Sequence, residues 1–175
     1  MFEDYLEDSN YFAVTASKEI GKREKKRYYR VAIFCAMSAV EAFINYVGDT
    51  LIQGETLQPY EISFLSDKKF DVLGGTFQIL DQTEYHRLED KLRFLILKFI
   101  SDFDFEHDPS WCRLLELKKF RDKITHPRQD EDEIDIAEYK KKTEMGLSSA
   151  IDIMNKLCKG IFNRPLRKKI LELSL

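Results

Sequence analysis

The stretch VAIFCAMSAVEAFINYV, residues Val31 to Val47, is the strongest helical signal in the chain. Apart from Ser38, Glu41 and Asn45, every side chain in it is apolar. A helix that is apolar on every face packs against several neighbours. At 17 residues and with a carboxylate inside it, the stretch falls short of the roughly 20 residues that cross a bilayer. We therefore expect a central core helix, within a helical region from Lys22 to Thr50, and no membrane span.

Further helices are predicted on both sides of this stretch, because apolar residues recur there at three- and four-residue spacing. Residues 53 to 75 contain Pro59, Gly74 and Gly75 and are expected to be irregular, apart from a short helix near residues 60 to 64. No strand-type alternation persists. The remaining helices are predicted at about 10–20, 83–100, 109–125 and 136–161, with a short helix or tail at 164–175. The fold class is therefore all-α: one domain over residues 1–175, built as a bundle of four to five main helices.

Charge and cysteine usage limit the classes of function. The chain has 28 basic and 31 acidic side chains and a net charge of −3, so it has no overall attraction to nucleic acid or anionic membrane. Any RNA binding must be local. The three cysteines are an odd number without close spacing, which indicates reduced core residues in the cytoplasm. The acidic N-terminus lacks the basic start and apolar run of a secretory signal.

The segment RDKITH, residues Arg121 to His126, is the candidate functional motif. Five residues along a helix turn through about 500°, which would point Arg121 and His126 to different sides. Pro127 changes this expectation, because the residue before a proline avoids helical geometry. His126 should then lie just past the helix end, where its imidazole can fold back toward the guanidinium.

Arginine and histidine together suit the cleavage of a phosphodiester. Arg121 can grip phosphate through two hydrogen bonds, and His126 can transfer a proton near neutral pH. Cleavage of RNA without a metal needs a base, an acid and a cation for the charge that builds on phosphorus. One chain offers one such histidine, so we expect a homodimer that brings two copies of the pair together.

The helix SAVEAFINYV and the later segment LLELKKFRDKITHP resemble the pattern of the HEPN superfamily. In that family an acidic residue lies in an early apolar helix, and an arginine, a polar residue and a later histidine mark a helix end. The resemblance implies a HEPN-like helical bundle and a metal-independent endoribonuclease of toxin-antitoxin or phage-defence systems, usually dimeric, which uses no cofactor and recognises an RNA substrate. An antitoxin or a defence-system protein is the partner it implies.

The same resemblance assigns roles to individual residues. Arg121 and His126 take the catalytic positions, with Asp122 as the polar neighbour and Glu41 and Thr125 as supporting groups. In toxins paired with a nucleotidyltransferase antitoxin, a tyrosine commonly stands two places after the histidine, and here that place is Arg128. This departure argues against control by modification of a tyrosine. Arg128 and Lys123 are instead predicted to contact RNA.

Each of these residues also has a structural interpretation. Arg121 and His126 could cap a helix C-terminus, where a cation gains about 0.3–1 kcal/mol. Glu41 could pair with Arg121 or with a tyrosine for a purely structural reason, because a buried carboxylate without a partner is costly. A non-catalytic helical module that dimerises or docks a partner is therefore the alternative function.

Other charged segments carry weaker signals. The acidic residues from Asp102 to Asp108 alternate as in a calcium loop, but His107 and Arg113 occupy positions that need glycine and a carboxylate, so we predict no metal site. The run from Asp130 to Glu133 is a solvated loop or, less simply, a metal site. Two basic stretches, KREKKR from Lys22 and RPLRKK from Arg164, could follow an RNA backbone or form solvated helix faces.

Overall fold

The computed structural model describes residues 1–126 and 134–173. Helix accounts for 70% of the described residues and strand for 8%, which confirms a mostly helical fold. Within the described residues there are seven helices and one two-stranded sheet. In chain order the elements are α1 (Phe2–Lys18), α2 (Lys22–Gln53), α3 (Pro59–Leu65), β1 (Lys68–Leu73), β2 (Thr76–Thr83), α4 (Leu88–Phe99), α5 (Pro109–Thr125), α6 (Ile136–Phe162) and α7 (Lys168–Leu171).

Helix α2 is central, as predicted, but it is not buried on every side. Its inner side, which includes Ile33, Phe43 and Val47, packs mainly against α1 and α6. Its outer side leaves Phe34 and Glu41 exposed. By length and composition alone α2 could cross a membrane, yet 56% of its most apolar window is buried inside the fold, as in the core helix of a soluble protein.

Helix α5 carries the candidate motif and is held at its start by Asp108. The carboxylate of Asp108 accepts a hydrogen bond from the backbone N–H of Trp111 at 2.9 Å and also pairs with Lys156 of α6. Pro109 occupies the first helical position, where its missing N–H costs nothing. The buried side chains recur every three residues, in agreement with the helical spacing of the apolar residues: Trp111, Leu114, Leu117 and Phe120. Thr125 is the last helical residue.

Helices α5 and α6 approach each other closely at Gly146. A Cβ atom at this position would lie only 2.5 Å from Cδ1 of Leu117, so a glycine is required for this distance of approach. One turn further along α5, the rings of Phe120 and Tyr139 meet edge to face with centroids 5.3 Å apart. These contacts fix the C-terminal half of α5 against α6.

The hairpin of β1 and β2 corrects the expectation of an irregular segment without strands. The strands are antiparallel, and Gly74 and Gly75 connect them with φ angles of 59° and 81°. Two consecutive positive φ angles are typical of the tight turn that joins a hairpin. The glycines were interpreted as helix breakers, whereas they form this turn. The strand β2 ends at Thr83, so α4 begins at Leu88 and later than predicted.

Other helix boundaries agree more closely with the sequence. The short helix α3 is confirmed, and α6 begins at Ile136 as expected. The main error lies in α1, which starts at Phe2 and not near Asn10. Its first two turns are rich in acidic and aromatic residues, and tertiary packing on α2 stabilises them beyond their weak periodicity.

We predict that Asp108→Ala destabilises the fold by about 1–2 kcal/mol at pH 7, because α5 loses its N-terminal cap. Burial would raise the pKa of Asp108, but hydrogen bonds from Lys156 and the Trp111 N–H hold it below its ordinary value of 3.8. This stabilisation is therefore present above pH 3.8 and is lost as the pH falls through the lowered pKa. Urea denaturation between pH 7 and pH 3 gives the free energy of unfolding of both proteins. The difference between Asp108→Ala and wild type should become smaller as the pH approaches 3.

The matched control is Asp108→Asn, which retains an acceptor for the Trp111 N–H but loses the charge. It should be less destabilising than Asp108→Ala at pH 7. An alanine variant as stable as wild type at pH 7 would contradict the capping role.

Candidate functional site

The guanidinium of Arg121 lies on the outer face of α2, beside Glu41. Its Nη2 is 3.8 Å from Oε1 of Glu41. The Arg121 side chain is 27% exposed and that of Glu41 52% exposed. A pair so open to water contributes at most about 1 kcal/mol. Glu41 is therefore not a buried acid in need of a partner, and its proximity to Arg121 orients the guanidinium more than it stabilises the fold.

A second carboxylate, that of Asp122, approaches Arg121 from the same helix. Oδ1 of Asp122 is 3.2 Å from Nε of Arg121, while Oδ2 pairs with Lys118 at 3.1 Å. The short Arg121–Asp122 distance lacks the alignment of a hydrogen bond, so Nε is a buried donor without a hydrogen-bond partner. An unsatisfied buried donor costs about 1–3 kcal/mol.

His126 ends α5 with an exposed imidazole. Its backbone has φ −124° and ψ 63°, outside helical geometry, as predicted from the following proline. The backbone N–H of His126 donates a hydrogen bond to the backbone carbonyl of Asp122 at 2.9 Å. Within residues 1–126 and 134–173, no hydrogen bond or ion pair joins His126 to Arg121. His126 is five residues, about 1.4 helical turns, beyond Arg121, and the expected return of its imidazole to the guanidinium forms no contact among the described residues.

The supporting residues occupy different positions. Thr125 donates its hydroxyl back to the carbonyl of Arg121 at 2.7 Å, so this hydroxyl is bonded to its own helix and does not face the site. Lys123 is partly exposed on α5. The predictions for Pro127, Arg128 and the run 130–133 fall outside the described residues.

The metal and cysteine predictions concern other parts of the fold. In the described part of the chain, no group of three or more His, Cys, Asp or Glu side chains could hold a metal. Oδ1 of Asp104 accepts hydrogen bonds from the backbone N–H groups of Glu106 and His107, so this acidic segment forms a turn. All three cysteines are free. Burial raises the pKa of the Cys158 thiol to about 11, which makes it a poor nucleophile.

A cavity of about 790 Å³ lies next to Glu41 and was not predicted from the sequence. We call it the α2 cavity. Its floor is the outer face of α2, its first wall is the start of α1, and its second wall is the end of α6 with the connection to α7. Glu41 belongs both to this floor and to the pair with Arg121. The polar residues of α2 at three- and four-residue spacing were the available signal: Ser38, Glu41, Asn45 and Asp49.

Comparisons of the chain with protein-family models, with curated proteins and with solved structures found no match.

We predict that Arg121→Met leaves the stability of the fold unchanged or raises it by up to about 1 kcal/mol. Methionine retains the apolar packing of the side chain and removes the unsatisfied Nε, while Glu41 and Asp122 remain accessible to water. The free energy of unfolding from urea denaturation measures the change.

Lys156→Met is the matched control, because it removes the cation that pairs with the mostly buried Asp108. This control should lose at least about 1 kcal/mol. If Arg121→Met also loses more than about 1 kcal/mol, Arg121 is a structural residue.

Proposed function

We propose that this protein is a cytoplasmic, metal-independent endoribonuclease of the HEPN type, active as a homodimer in toxin or phage-defence systems. The observation that supports this function best is the placement of Arg121. Its guanidinium lies between two carboxylates near the end of α5, its Nε has no aligned hydrogen-bond partner, and the exposed His126 follows five residues later. This arrangement has little structural benefit and suits an anionic ligand.

Arg121 stabilises the charge that develops on phosphorus. Its planar guanidinium can donate two parallel hydrogen bonds to phosphate oxygens. Glu41 and Asp122 restrict its orientation, and the pairing of Asp122 with Lys118 reduces the competition of that carboxylate with phosphate. Glu41 and Asp122 are therefore positioning residues.

His126 transfers the proton. Its imidazole is exposed, so it can reach the 2′-hydroxyl or the leaving oxygen of an RNA strand that crosses the end of α5. One imidazole performs one of these two transfers at a time. A second chain related by two-fold symmetry supplies the other imidazole, because a residue near the axis lies beside its own copy. Lys123 and Arg128 add cations that neutralise neighbouring phosphates.

We predict that wild-type protein cleaves single-stranded or tRNA-like RNA in excess chelator, and that His126→Ala and Arg121→Ala each reduce the rate at least about 100-fold. Glu41→Gln should reduce it less, because it loosens the orientation of Arg121 without removing a reacting group. Initial rates on a labelled RNA give the comparison.

Two variants serve as matched controls on exposed residues outside the site. His107→Ala removes an imidazole from the turn before α5, and Arg113→Ala removes a guanidinium from the first half of α5. Both should retain wild-type rates. Equal activity of wild type, His126→Ala and Arg121→Ala would indicate a contaminating nuclease and overturn the proposal.

The homodimer has a test of its own. A ninefold excess of His126→Ala chains, equilibrated with wild type, should reduce the activity of the wild-type chains to about one tenth if every site needs two histidines and chains pair at random. Light scattering establishes the oligomeric state in parallel. A protein that is strictly monomeric and fully active would disprove the composite site.

The second candidate function is a helical interaction module. It is favoured by the hairpin, whose apolar side chains Val72, Leu73 and Phe77 are about half exposed or more. Exposed apolar patches commonly mark contact surfaces for other proteins. Inactivity of the wild type on several RNAs, together with retention of a protein partner through this hairpin, would favour the module.

A further inference from the structure

The floor of the α2 cavity presents polar groups that have no partner in the described part of the protein. Asn45 and Asp49 lie one helical turn apart on the outer face of α2, and both are exposed. Neither makes a hydrogen bond or an ion pair with a described residue. An ionised carboxylate only accepts hydrogen bonds, whereas an amide donates and accepts. Side by side, these groups can recognise an edge that carries two donors next to an acceptor.

The walls of the α2 cavity add aromatic and cationic groups. Tyr46 and Phe162 line it from α2 and α6. Arg164 follows Phe162 closely and places its guanidinium 5.9 Å from the centre of that ring. It makes no ion pair with a described residue, in contrast to Arg167, which pairs with Glu3 at 3.1 Å. Aromatic faces stack on bases, and a guanidinium binds phosphate.

We propose that the α2 cavity binds an unstacked guanine base of the RNA substrate. Asp49 accepts hydrogen bonds from N1–H and the 2-amino group, and Asn45 donates to O6. The base stacks against Tyr46 or Phe162, while Arg164 contacts a neighbouring phosphate. This inference rests on the proposed ribonuclease function and adds a sequence preference to it.

Size and position agree with this ligand. Ligand pockets generally have volumes of about 300–1,000 Å³, and the α2 cavity has about 790 Å³. Because Glu41 borders both the cavity and Arg121, a base on the cavity floor would lie next to the candidate cleavage site. The carboxylates of the floor repel phosphate, but they face the base and not the backbone of the strand.

The same groups discriminate against the other purine. Adenine presents one amino group beside the acceptor N1, so a lone pair of N1 would face a lone pair of Asp49. A bound base would shield the Asp49 carboxylate from water, and an acceptor left unmatched when it is shielded has an energetic cost that a matched hydrogen bond avoids. Inosine retains N1–H and O6 but lacks the 2-amino group, so it should bind with intermediate affinity.

The test measures binding without cleavage. The probes are 2′-O-methyl pentanucleotides, which lack the nucleophilic hydroxyl, with guanine, hypoxanthine or adenine at the centre of a uridine sequence. Fluorescence anisotropy should show that the wild type binds the guanine probe about tenfold more tightly than the adenine probe. Asp49→Asn should abolish most of this preference, and Asn45→Ala should reduce it.

Asp8→Asn is the matched control, because it makes the same charge change on an exposed residue of α1 outside the cavity lining. It should retain the preference. Equal affinity of the wild type for all three probes, or an unchanged preference in Asp49→Asn, would overturn the guanine site.

Failure of the guanine site and failure of the ribonuclease proposal give different results. Chelator-resistant cleavage that depends on His126 but shows no guanine preference would overturn the guanine site alone. If the protein cleaves no RNA but prefers the guanine probe through Asp49, the ribonuclease proposal is overturned. The α2 cavity would then bind guanine without selecting a substrate for cleavage.

Discussion

The fold depends on the burial of one side of α2. Side chains such as Ile33, Phe43 and Val47 are fully buried against α1 and α6, and each contributes about 1.5–3 kcal/mol through the hydrophobic effect. Because these contacts occupy the inner side, the opposite side of the same helix remains exposed. The candidate site therefore lies on a rigid element whose position is set by the core.

The end of α5 is the second fixed element of the site. Close packing between Leu117 and Gly146, and the edge-to-face contact of Phe120 with Tyr139, leave little freedom at the turns that precede Arg121. Packed helices hold a functional side chain more precisely than loops do. The helix positions determine where the Arg121 side chain lies, and its contacts with Glu41 and Asp122 restrict only the orientation of the guanidinium.

The main helices could be predicted because their periodicity comes from the need to bury one face. Pro109 with Ser110 marked the start of α5, and Pro127 indicated its end. The hairpin could not be predicted in the same way. Its strands are short and mostly exposed, so burial imposes little alternation on them. Gly74 and Gly75 are equally compatible with a helix break and with a tight turn.

The candidate motif could be selected from residue chemistry, since arginine suits phosphate binding and histidine suits proton transfer near neutral pH. The sequence by itself determined the helical class and the central helix, because periodicity and residue type are local properties. Only the tertiary structure decided that Glu41 is exposed, that it lies beside Arg121, and that the same face of α2 forms the floor of a cavity. Those facts depend on which side of α2 the neighbouring helices cover, and the sequence of α2 alone does not specify where those helices lie.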